Sequence, residues 1–141
     1  MRALKYFIFS ALLLVVFSCK ERVNEKDLHH LNGYWEIEKA EMPDGAVKEY
    51  TVNMAVDYFQ LKDGKGFRQK VVPQFDGEYL TNEVQEEIAV NFEGKETWLS
   101  YHTEFADWKE ELLVVKPNRL IVKNEHDITY YYKRPVAFTK K

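Results

Sequence analysis

From Gly33 onward, apolar and polar residues alternate in short runs bounded by turn residues, and a period of two suits a strand with one buried face. "YWEIEKAEM", residues 34–42, puts Trp35 and Ile37 on one face and Glu36 and Glu38 on the other, and "MPDGA", residues 42–46, ends the run with turn chemistry. In "DYFQLKDGKGFRQKV", residues 57–71, Phe59 and Leu61 point inward before Asp63-Gly64-Lys65-Gly66, and Phe67, Gln69 and Val71 are expected to return on that face. A second hairpin, "EEIAVNFEGKETWLSYHTEF", carries Ile88, Val90 and Phe92 inward before Glu93-Gly94-Lys95, then Leu99 and Tyr101. A third meander, "KEELLVV", "RLIVKN" and "ITYYYKR", turns at Lys116-Pro117-Asn118 and at Glu125-His126-Asp127.

About eight or nine strands with short connections pair antiparallel with their neighbours. A meander of this kind leaves two exposed edges unless it closes, so the expected fold is all-β, an up-and-down antiparallel barrel of about eight strands over residues 32–136. Residues 48–55 fit either a strand or a short lid helix, and "YLTNEVQEE", residues 79–87, could hold a helical turn.

Ahead of this domain, Arg2 and Lys5 precede the apolar run "YFIFSALLLVVFS", which has the length of a secretory signal and falls short of the roughly 20 residues of a membrane span. Val16-Phe17-Ser18-Cys19 resembles the lipobox of bacterial lipoproteins: a small side chain before the scissile bond and a sulfur nucleophile to carry diacylglycerol. The resemblance implies a signal peptide over 1–18, acylation of Cys19, the only cysteine of the chain, and attachment to the membrane through it. The expected place is the bacterial cell envelope, at the outer membrane. A free thiol, an intermolecular disulfide or an uncleaved signal anchor is the other reading of Cys19. Residues 19–31 read as a flexible, solvated tether, with a partial likeness at Lys20-Glu21 to sorting signals of Bacteroidetes surface lipoproteins. Residues 137–141 form a C-terminal tail.

The 141 residues are 45% hydrophobic and 30% charged, which is globular composition. Without Arg2 and Lys5 the 20 basic residues become 18 against 23 acidic ones, so a nucleic-acid partner is not expected. A remaining chain of about 120 residues buries roughly two-thirds of its unfolded surface, enough for a core without metal or disulfide.

Gly33-Tyr34-Trp35, at the opening of the first strand, resembles the Gly-x-Trp signature of the lipocalin superfamily. Together with "FRQKVVPQFDG", residues 67–77, and "YYYKR", residues 130–134, it looks like the small lipocalin-like lipoproteins of Bacteroidetes. The resemblance implies that Trp35 packs at the closed base of the barrel beneath Arg134, a structural pair. The threonine-aspartate-tyrosine signature of lipocalins is absent.

An eight-stranded barrel either fills with side chains or holds one small ligand. The candidate interior is Phe59, Phe67, Tyr101, Tyr130 and Tyr132, with Gln69 as a lone polar group; it reads either as an apolar ligand cavity or as a packed core. Adjacent Glu110 and Glu111 point to opposite faces and cannot act as a pair. Glu110 shares a face with Trp108 and Leu112, although a surface or rim position is expected for it. His102 is expected to be exposed, and His29-His30 lack a second ligand pair for a metal. No nucleophile elbow, phosphate loop or metal-ligand spacing occurs, so no catalysis, metal or cofactor is expected. The sequence thus supports an envelope lipoprotein that binds or carries a small hydrophobic ligand. The alternative is an interaction module with a filled interior, its protein partner unknown.

Overall fold

In the computed structural model, which describes residues 22–136, the alternating segments become ten antiparallel strands after a short 3-10 helix, Glu25–Leu31. They are β1 (Gly33–Glu41), β2 (Val47–Glu49), β3 (Val56–Lys62), β4 (Lys65–Pro73) and β5 (Tyr79–Thr81), followed by β6 (Glu86–Glu93), β7 (Glu96–His102), β8 (Asp107–Lys116), β9 (Arg119–Lys123) and β10 (Thr129–Lys133). Eight of them follow one another around the wall as β1, β3, β4, β6, β7, β8, β9 and β10, and β10 pairs back onto β1, Lys133 opposite Glu36 and Thr129 opposite Glu41. Closure satisfies the edge groups of the first and last strands in one step. The fold is therefore the all-β antiparallel barrel expected from the alternation.

The two strands beyond eight lie at one end. β2 pairs with the last residues of β1, and β5 with the last residues of β4, so residues 48–55 form no lid helix and residues 79–87 hold no helical turn. The signal segment 1–18, Cys19 and the tail 137–141 lie outside the described residues.

Loop lengths define the poles. At one pole the wall turns tightly: Asp63-Gly64 takes positive φ at both residues, 54° and 76°, as a two-residue hairpin matched to strand twist requires. The turns after β6 and β8 share that pole, and the other pole carries the six longer connections, 42–46, 50–55, 74–78, 82–85, 103–106 and 124–128.

The tight pole is sealed. Trp35 is fully buried and donates from Nε1 to the Leu31 carbonyl at 2.8 Å, and the Arg134 guanidinium lies 3.6 Å from the indole centroid. Arg134 also donates to the carbonyls of Pro117, Tyr34 and His30 at 2.9, 3.0 and 2.7 Å, tying β10, β1, the β8–β9 turn and the helix together. Gly33 is required beside it, with φ 104° and room for a Cβ only 3.2 Å from Arg134 Nη1. The base pair implied by the resemblance is thus present in geometry.

Residues 22–31 depart from the expected tether. Asn24 accepts from the Lys26 amide and caps the helix, Leu28 and Leu31 reach the core three residues apart, and Val23 packs with them. Arg22 already lies against the Phe92 ring, 5.0 Å from its centroid. This segment is the floor of the barrel, because Val23, Leu28 and Leu31 are apolar residues that the charged neighbours hide in a linear reading.

Two substitutions test the frame. Arg134→Ala removes the stack and three charge-assisted bonds, and a loss of about 2–4 kcal/mol is expected in urea unfolding. Gly66→Ala is expected to prevent folding or cost more than Arg134→Ala, since a Cβ there would lie 1.8 Å from the Gln60 carbonyl oxygen.

Candidate functional site

Register decides what enters the barrel. An even-residue turn pairs Phe59 with Arg68 and Gln60 with Phe67, so alternation carries Gly66, Arg68 and Lys70 inward and leaves Phe67, Gln69 and Val71 outside. Phe67 and Gln69 are therefore corrected from the interior to the outer face, where Gln69 and Val71 are still buried, at 9% and 5%, while Lys70 on the inner face is 63% exposed. Phe67 joins an outer aromatic group with Tyr58, Tyr34 and Tyr79, in which Tyr34 and Tyr79 stack at 4.0 Å. Gln69 hydrogen-bonds the Thr81 hydroxyl of β5. Of the other candidates, Phe59 and Tyr101 are buried in the core, and Tyr130 and Tyr132 pack against it from β10.

The interior is filled from the base upward by Leu31, Trp35, Phe59, Leu99, Leu112, Val115, Leu120 and Val122, each no more than 2% exposed. Above them lies a charged layer instead of oily space. Arg68 stands 4.3 Å from the Tyr101 ring centroid, on which Trp108 also stacks at 5.2 Å. It pairs with Glu86 and, at 3.3 Å, with Glu110. Beside it Lys70 reaches Asp57 at 3.1 Å; Asp57 and Glu110 are buried, at 5% and 6% exposure.

Glu110 is thus an inward, buried carboxylate opposite Leu99, not a surface or rim residue, and Glu111 points outward, where Lys123 comes within 3.7 Å. Burial raises the Glu110 pKa above the usual carboxylate value, against the pull of the Arg68 guanidinium. Burial works against the Arg68 charge too. Tyr101, Glu86, Asp57 and Glu110 together outweigh it, so the guanidinium stays protonated. Burial also raises the phenols of Tyr101 and Tyr132 well above their usual value, with the Glu110 carboxylate beside the Tyr101 hydroxyl adding to the rise. This layer plugs the upper barrel with paired charge, an arrangement suited to holding a shape rather than solvating an alkyl chain.

Outside the barrel, the six connections at the open pole are distinctive. They carry Asp44, Asp76, Glu78, Glu83, Glu104, Glu125 and Asp127, all exposed, and no lysine or arginine. On the same pole stand exposed apolar side chains: Val52 and Met54 at 83%, Phe75 at 92%, Leu80 at 61% and Phe105 at 91%. A depression of about 770 Å³ lies along β6–β8, lined by Glu87, Ala89, Ser100, His102 and Lys109 and reaching Ile88, Tyr101 and Trp108. His102 is exposed there and pairs with Asp107, which raises its pKa. Among the described residues, no group of three or more His, Cys, Asp or Glu is placed to hold a metal, His29 and His30 included.

Arg68, Asp57 and the acidic apolar rim escape a linear reading. Only the odd–even consequence of the hairpin turn would have found Arg68, and the rim emerges when the six loops are counted as one surface.

No family model matches the chain, and no curated protein matches it. Among solved structures, a lipocalin-like protein from Bacteroides uniformis ATCC 8492 is similar, with 13% sequence identity and a TM-score of 0.49 over 75% of this chain and 99% of that one.

The Glu110 environment fixes a pH dependence. Its raised folded-state pKa means that its contribution is fully present below the ordinary carboxylate pKa of about 4.3 and is lost as pH rises through the raised value. The stability of wild type relative to Glu110→Gln is expected to fall with pH across that window, by at most about 1.4 kcal/mol per pH unit, in urea titrations at successive pH values. A flat difference would contradict the buried placement.

Proposed function

We propose that the protein is an acyl-anchored lipoprotein of the bacterial cell envelope, at the outer membrane, whose barrel is a non-catalytic interaction module. The observation that carries this reading is the filled and charge-plugged interior beneath a rim both acidic and apolar. A binding surface must then lie outside, and seven exposed carboxylates interleaved with Phe75, Leu80 and Phe105 complement a basic segment with apolar side chains on an envelope protein. Support for the anchor is the lipobox-like Val16-Phe17-Ser18-Cys19, which lies outside the described residues.

Carriage of a small hydrophobic molecule is the second reading, favoured by the tyrosines Tyr130 and Tyr132 near the open pole. The two part on what accompanies the protein. Native mass spectrometry of the acylated protein taken from its host is expected to find a stoichiometric protein, with crosslinks from the rim to lysine- or arginine-rich peptides. Phe105→Asp and Leu80→Asp should leave stability within about 0.5 kcal/mol and reduce that complex at least tenfold. A copurifying lipid without a protein partner would favour carriage instead.

A further inference from the structure

The two poles of the barrel carry opposite charge. The open pole has seven acidic loop residues and no lysine or arginine in those loops; counting the flanking strand ends adds Lys48 and Lys123 against Glu41, Glu49, Glu86 and Asp107, so that pole stays net negative. At the closed pole every tight turn is flanked or occupied by a base: Lys62 and Lys65 at the first, Lys95 at the second, Lys116 and Arg119 at the third. Arg22 and Lys26 add two more on the floor segment, and all seven side chains are exposed. Acidic neighbours there number five, Glu25, Asp27, Asp63, Glu93 and Glu96, so that pole is net positive.

The floor segment adds a constraint of length. Arg22, the first described residue, lies on Phe92, and Val23 is in the core-facing group. Cys19 precedes Arg22 by three residues, a span of at most about 11 Å when fully extended. Strand β8, ten residues long, places the open rim about 25 Å farther out after allowance for strand tilt.

From these observations we infer that the closed pole of the barrel is a docking surface for anionic lipid headgroups, holding the molecule upright with its acidic mouth facing away from the membrane of its own anchor. This rests on the acyl-anchored reading of Cys19. The screening length of about 8 Å at physiological salt makes the asymmetry effective: the basic turns lie within reach of headgroup charge, and the acidic loops do so only if the barrel tips over. Lys62, Lys95 and Arg119, on three separate turns, form a tripod on which the short anchor seats the barrel.

The test uses the full-length acylated chain in vesicles of phosphatidylethanolamine and phosphatidylglycerol, three to one. Cys19 is the only native cysteine and is blocked by its acyl group, so Asn118→Cys at the base and Glu104→Cys at the mouth each take one spin label. With a nickel chelate fixed to the lipid surface, relaxation of the Asn118 label is expected to exceed that of the Glu104 label at least fivefold. The contrast should fall at least twofold in phosphatidylcholine vesicles and in the triple variant Lys62→Glu, Lys95→Glu, Arg119→Glu. Equal or reversed relaxation overturns the upright orientation, and a contrast indifferent to lipid charge and to the triple variant overturns the headgroup contact. Intact mass reports separately on the anchor: a chain without diacylglycerol removes the lipoprotein reading itself.

Discussion

The stack of Arg134 on Trp35 is the contact from which the rest of the barrel is hung. A closed ladder needs its first and last strands to find one another across 100 residues of chain, and Arg134 meets the Tyr34 carbonyl across that separation. The guanidinium covers the indole, uses its fork of donors on three carbonyls and keeps one edge toward water, a combination lysine could not supply. The requirement runs backward into Gly33, whose positive φ and missing Cβ make room for the stack. The glycine and the tryptophan of the opening tripeptide answer the same partner.

Above this base the interior changes character. An oily core would be simpler to stabilise, since desolvating Arg68, Glu110 and Asp57 offsets much of what their pairing returns. The layer specifies instead. Arg68 can be satisfied only when β4 is in the register that brings it to Tyr101, with Glu86 on β6 and Glu110 on β8, so three strands are locked by one side chain.

Much of this was legible in a linear reading, and the misses have definite causes. Alternation with turn chemistry located the eight wall strands, because a period of two leaves a direct trace in composition. It did not locate β2 and β5, whose three residues are too short to show a period. Alternation started from the apolar Phe67 carries Gln69 to the interior with it, yet the parity of the hairpin turn sets the face, and an arginine between them reads as an exterior residue until that parity is counted. Arg22 to Leu31 looked solvated because its three apolar anchors are spaced among charges and matter only once a barrel exists to receive them.

The chain enters and leaves the barrel at one pole, since β1 rises from the base and its neighbour β10 descends to it. Mechanical consequences follow from that geometry. Tension applied between the closed base and the far rim runs along the strands, so the ladder bonds, which lie across them, resist together in shear. Tension applied between the two termini would instead peel β1 from β10 one bond at a time. The same wall is thus a stiff strut in one direction and a zipper in the other.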